Sequence, residues 1–160
     1  MKLYMFGALA AATLLAACSS TPSQTRGGPD GGGGPVLGTT GPVPGSEEDL
    51  IRVGDRVFYL LNSSTLTDEA QATLSKQAAW MAKYPNVTVQ IAGNCDDRGT
   101  EEFNLALGQR RANAARDYLV AKGVASSRIT TISYGKDRPT ALGDDEQAWS
   151  QNRNAITSVK

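Results

Sequence analysis

At 160 residues the chain has room for one ordinary domain with extensions rather than two full domains. Its 16 Lys and Arg balance 16 Asp and Glu, it has no histidine, and its two cysteines are Cys18 and Cys95. A Ser-His-Asp or Cys-His catalytic group and a histidine-containing zinc site are excluded. Two cysteines make no disulfide scaffold, and zero net charge argues against a nucleic-acid binder.

Lys2 precedes an apolar run from Leu3 to Ala17, shorter than the ~20 residues of a bilayer-spanning helix. A basic start, a short apolar stretch and small residues at its end describe a secretory signal over residues 1–17. Leu15-Ala16-Ala17-Cys18, set between that run and a polar stretch, resembles the lipobox of bacterial lipoproteins. The resemblance implies cleavage before Cys18 and acylation of Cys18. Ser19, rather than Asp, next to it implies sorting to the outer membrane. At ~0.8 kcal/mol per buried CH₂, several acyl chains hold a protein on a membrane almost permanently.

Residues 19–45 carry nine of the 17 glycines and five of the seven prolines, with no aromatic residue. Such a segment cannot bury enough apolar surface to offset its ordering entropy. Residues 18–45 therefore read as a lipidated cysteine and a flexible tether, ~30 Å in root-mean-square span and ~90 Å when stretched.

Residues 46–160 are expected to form one folded domain with 14 basic and 15 acidic residues. Arg52–Leu61 is rich in Val, Phe, Tyr and Leu and predicts a strand. Thr67, followed by Asp68 and Glu69, predicts the start of a helix that buries Ala70, Leu74, Ala78 and Met81 and stops near Tyr84, before Pro85. Val87, Val89 and Ile91 alternate with polar or small residues as a strand does. A long helix is predicted from about Thr100 to Lys122, stopped by Gly123. Arg128–Tyr134 predicts a strand, Asp144–Asn152 a short helix and Ala155–Val159 a last strand. The order implies an α/β two-layer sandwich: about four strands in a mixed sheet, two long helices and one short one.

The long helix holds the most informative residue. On a wheel at about 100° per residue, Phe103, Leu107, Ala114, Tyr118 and Ala115 define an apolar arc, and Arg111 and Asn104 fall inside it. A guanidinium there is costly unless it is paired. The preceding loop, residues 93–100, supplies Asp96 and Asp97, at a strand end beside a helix start where α/β sheets bind ligands. The pattern leaves two roles open. Arg111 and Asp96 form an internal ion pair that fixes the loop, or they line a pocket for a zwitterion, with Arg111 on its carboxylate and Asp96 on its ammonium.

The run from Gly93 through Asp96, Arg98, Gly99, Asn104, Leu107 and Gly108 to Arg111-Ala112 closely resembles the signature of the peptidoglycan-associated lipoproteins, in the OmpA C-terminal domain family. Ile132–Lys136 and Ala148–Arg153 fit the family's later motifs. The resemblance covers about residues 52–157. It implies non-covalent binding of peptidoglycan through meso-diaminopimelate of the stem peptide, whose side-chain end carries a free ammonium and carboxylate. The family's ligand-pairing Asp and Arg fall on Asp96 and Arg111, its asparagine and leucine on Asn104 and Leu107, and its pocket-closing Phe-Asp on Leu61-Asn62. The chain departs from the family pattern in three places: Asn94-Cys95 stands for His-Thr, Asn62 for an aspartate and Asn154 for an arginine.

The expected protein is an outer-membrane lipoprotein, lipid-anchored with its domain facing the periplasm, that ties that membrane to the cell wall. The resemblance further implies TolB and other Tol proteins as partners. No catalysis, metal or cofactor is expected beyond the lipid on Cys18, and Cys95 reads as a small buried residue. The alternative is an envelope interaction module, binding mainly TolB-like partners, with a weakened wall pocket.

Overall fold

The computed structural model describes residues 41–160. The export segment, Cys18 and the tether up to residue 40 lie outside the described residues. Ser46 caps the first helix, α1 (Glu47–Val53), its hydroxyl accepting from the Asp49 amide, with Glu47, Glu48 and Asp49 at the positive end of the dipole. α1 ends at Gly54, where φ is 113°. The strand expected over Arg52–Leu61 is therefore only β1, Arg56–Phe58. Its first residues are taken by α1, because the cap, the acidic first turn and the burial of Leu50 favour a helix. Its last ones turn away, with Asn62 at φ 53°, a left-handed conformation that asparagine tolerates better than most residues.

Thr67 caps α2 (Asp68–Lys83), and the helix ends at Tyr84 just ahead of Pro85. β2 (Val89–Asn94) follows, then α3 (Glu101–Ala121) on a Thr100 cap. At the end of α3, Gly123 takes φ 97° while the Val124 N–H donates to Leu119 O at 3.1 Å, which satisfies a terminal carbonyl. β3 (Ile129–Gly135), α4 (Glu146–Asn152) on an Asp145 cap and β4 (Asn154–Val159) complete the order.

The sheet runs β1-β4-β2-β3, with β2 and β3 parallel and β4 antiparallel to both of its neighbours. This is the expected mixed α/β sandwich, with α1 as an additional short helix. α3 crosses from β2 to β3 and packs on both, while α2 lies against β1 and α3. Leu50, Leu74, Met81, Val89, Ile91, Ala115 and Leu119 form the core between helices and sheet. Among the described residues no helix is long and apolar enough to cross a membrane.

The buried face of α3 is rolled away from part of its apolar arc: Leu107 and Ala115 are buried with Asn104 and Arg111, but three others are not. Phe103 is 43% exposed, and Ala114 and Tyr118 are half-buried. The buried line runs through Asn104, Leu107, Gly108, Arg111, Ala115 and Leu119. Backbone contact sets this roll: a Cβ on Gly93 would meet Gly108 O at 1.8 Å, and one on Gly108 would meet Gly93 O at 2.8 Å. Helix and strand approach so closely at this point that only glycine fits on either side.

Candidate functional site

The loop between β2 and α3 is pinned from three sides. The Cys95 amide donates to Gly135 O at 2.7 Å, Lys136 Nζ to Gly99 O at 3.0 Å, and Asn104 Nδ2 to Arg98 O at 2.9 Å. Asn104 and Leu107 are both buried, and Asn104 supports the loop through that bond. The Cys95 thiol is also buried and donates to Asn104 O at 3.4 Å. Burial pushes its pKa up, and the nearby Arg111 charge only partly offsets this.

Arg111 is the largest fully buried side chain among the described residues, at 1% exposure. Its guanidinium bonds backbone carbonyls: Nε to Ser63 O at 2.9 Å, one terminal nitrogen to Asn94 O at 2.8 Å and the other to Leu60 O at 3.2 Å. It stands 5.2 Å from the Tyr59 ring centroid, and the Tyr59 hydroxyl donates back to Arg111 O at 2.8 Å. Burial lowers its pKa from the ordinary arginine value and raises that of Tyr59. The side chain ties both ends of the turn bearing Leu61 and Asn62 to the end of β2.

The internal ion pair between Arg111 and Asp96 is not formed. Asp96, 5% exposed, instead accepts from Arg98 at 2.5 Å and from Arg153 at 3.3 Å, both on Oδ2. Arg98 lies two residues along the same loop and Arg153 enters from the β4 side, so both reach the carboxylate, while Arg111 is turned toward carbonyls. Burial alone would raise the Asp96 pKa; the hydrogen bonds and charges of Arg98 and Arg153 more than offset it and hold the carboxyl below the ordinary aspartate value. Arg153 also donates to Tyr59 O at 3.2 Å and to Glu146 at 2.5 Å. Arg98 lies over the Trp149 ring at 4.1 Å.

The sequence-predicted residues thus separate into layers. Asp96, Asn104, Leu107 and Arg111 are buried around the loop, while Leu61, 51% exposed, and Asn62 stand on the turn that Arg111 holds. The neighbourhood also contains Tyr59, Arg98, Glu146, Trp149 and Arg153, to which the sequence pattern assigned no role. Arg98, Arg111 and Arg153 thus stand near Asp96 and Glu146, so the site is a cluster of charges rather than a single pair. Asn94 Nδ2 donates to Asn154 Oδ1 at 2.7 Å, both residues buried behind Arg111.

A family model described as the OmpA family matches residues 58–153. A peptidoglycan-associated lipoprotein of Rhizobium meliloti (strain 1021) is 49% identical over 151 residues, covering 94% of this chain and 84% of that protein. One of Pseudomonas putida is 40% identical over 162 residues, covering 96% of each. The crystal structure of the peptidoglycan-associated lipoprotein from Burkholderia pseudomallei matches with a TM-score of 0.64 at 40% identity, over 66% of this chain and 90% of that one. The C-terminal domain of Helicobacter pylori MotB shares the fold, with a TM-score of 0.62 at 20% identity.

Proposed function

The chain belongs to the OmpA family, among its peptidoglycan-associated lipoproteins, and from that premise we propose that it binds the cell wall non-covalently while a lipid on Cys18 holds it in the outer membrane. The observation that carries this reading is likeness along nearly the whole chain, rather than over the folded domain alone, to proteins named for both properties. The ligand is the meso-diaminopimelate arm of the stem peptide. Its carboxylate suits the guanidinium cluster of the site, since arginine forks match carboxylates, and its ammonium suits Asp96. Leu61 and Asn62, on the turn above Arg111, close over the bound arm. The protein acts by binding, with no bond made or broken, and belongs to the Tol system with TolB as a partner. Many anchored copies facing one polymer gain from high local concentration, so each site needs only modest affinity.

Co-sedimentation tests this with the protein unaltered. The full-length chain in detergent should pellet with purified wall containing meso-diaminopimelate and not with wall in which lysine replaces it, because lysine has the ammonium but lacks the side-chain carboxylate. Equal pelleting with both walls would refute the diaminopimelate assignment.

A further inference from the structure

Asp96 is offered to an ammonium by the reading above, yet in the structure two guanidinium groups already hold the same oxygen of its carboxylate. The two are not equivalent. Arg153, 8% exposed in its side chain, is fixed at every nitrogen: Nε to Tyr59 O, one terminal nitrogen to Asp96 and the other to Glu146. Arg98 is 35% exposed in its side chain, and beyond Asp96 its ionic partner is Glu146, at 3.8 Å. Resting on the zwitterion reading, we propose that Arg98 is a displaceable internal occupant of the ammonium subsite, releasing Asp96 to the ligand's ammonium and moving onto Glu146.

The present pose of Arg98 prepares that exchange. It lies over the Trp149 ring, and both the Arg98 Nε and the Trp149 Nε1 are buried without an acceptor. Buried donors without partners are costly, so a swing outward loses one ion pair but hydrates two donors. Glu146, 64% exposed in its side chain, is the adjacent anion and needs no rearrangement of its own. The backbone need not follow, because Arg98 O stays bonded to Asn104. Crowding at Asp96 points the same way. An ammonium entering with Arg98 in place would be a third cation on one carboxylate, whereas exchange substitutes one cation for another there. Arg98 is thus a specificity-determining residue: the subsite opens to a group that can replace a guanidinium on Asp96. The apparent affinity is reduced by the fraction of time Arg98 occupies the carboxylate.

The test is calorimetric titration of the full-length chain in detergent with a stem tetrapeptide containing meso-diaminopimelate. Arg98→Ala should bind about 3- to 10-fold tighter than wild type, in proportion to the occupancy removed. Arg98→Lys, which restores a cation near Asp96, should return most of the way, and Arg98→Gln should behave like the alanine variant if that one folds poorly. A tetrapeptide whose diaminopimelate arm lacks the terminal amine should gain nothing from Arg98→Ala. Equal or weaker binding of Arg98→Ala to the complete peptide overturns the proposal, as expected if the ammonium uses the other Asp96 oxygen with Arg98 in place. An equal gain for the amine-free peptide also overturns it, in favour of a general loop or charge effect. In both cases wild-type binding leaves the zwitterion reading standing. If folded wild type and folded Arg98→Ala both fail to bind the complete peptide, the zwitterion reading falls and the proposal with it.

Discussion

Arg111→Ala should damage the fold before it reports on any ligand. The wild-type guanidinium serves three backbone carbonyls. Hydrogen bonds from charged donors contribute about 1.5–3 kcal/mol each, and a carbonyl left buried and unpaired incurs its desolvation penalty. Water can replace the guanidinium at Leu60 O and Ser63 O, which lie on an open turn, but not readily at Asn94 O, at the buried end of β2. Removing a buried cation with no carboxylate partner recovers some desolvation energy, and the large void left behind subtracts from it. Together these set the loss at about 3–5 kcal/mol, a large fraction of the ~5–15 kcal/mol available to an ordinary domain. For a domain of this size that is a fall in Tm of roughly 10–20 °C. Urea unfolding followed by circular dichroism measures it, and Arg111→Met separates bulk from hydrogen bonding. If both variants lose less than about 1 kcal/mol, the guanidinium is not the clamp between turn and strand. The same numbers mean that loss of wall binding in Arg111→Ala is interpretable only at a temperature where the variant is shown to be folded.

Gly93→Ala should be more severe, because its Cβ would sit 1.8 Å from the Gly108 carbonyl oxygen; loss of a cooperative thermal transition is expected, and a stable variant would mean the helix–strand approach is looser than described. The depressed pKa of Asp96 makes its contribution fully present above about pH 4, the unfolded aspartate value, and progressively lost as pH falls through the lower folded value. Asp96→Asn should therefore flatten the acid side of a Tm-against-pH curve below about pH 4, and an unchanged slope would show that the carboxyl is not held by Arg98 and Arg153. A double-mutant cycle on Asn94→Ala and Asn154→Ala should give a coupling of about 0.5–1.5 kcal/mol in urea unfolding, whereas additivity would deny their bond.

Where caps and breakers act locally, the sequence was easy to read. Thr67 with Pro85, and Thr100 with Gly123, mark both ends of the two long helices. α1 was missed because Ile51, Arg52 and Val53 suit a strand as well as a helix; the deciding signals, Ser46 and three consecutive acids, sit at its other end. The roll of α3 was misjudged for a different reason. An apolar wheel assumes that hydrophobic burial sets helix orientation, whereas here Gly93 and Gly108 do, and a glycine in the middle of a helix was the available signal. Arg111 was correctly placed on the buried side, but its partners are main-chain atoms, which leave no trace in side-chain chemistry. The neighbours of Asp96 were legible only in part: Arg98 lies in the same loop, while Arg153 arrives from 57 residues away.

The departures from the family pattern change meaning once placed. Asn62, exposed on the turn, stands on the rim, and its φ of 53° suits asparagine. Asn94 and Asn154, which look like two further independent losses at the site, are buried and bonded to each other. Asn154 spends its amide on Thr140 and on the Gln151 carbonyl, and its oxygen on Asn94. A histidine and an arginine at this pair would add up to two cations beside Arg111, whose guanidinium already bonds Asn94 O. The paired amides keep a hydrogen-bonded connection between β2 and β4 and remove that charge. The two substitutions are therefore one change in the support beneath Arg111, and the groups proposed to meet the ligand, Asp96 and the arginines around it, are left intact.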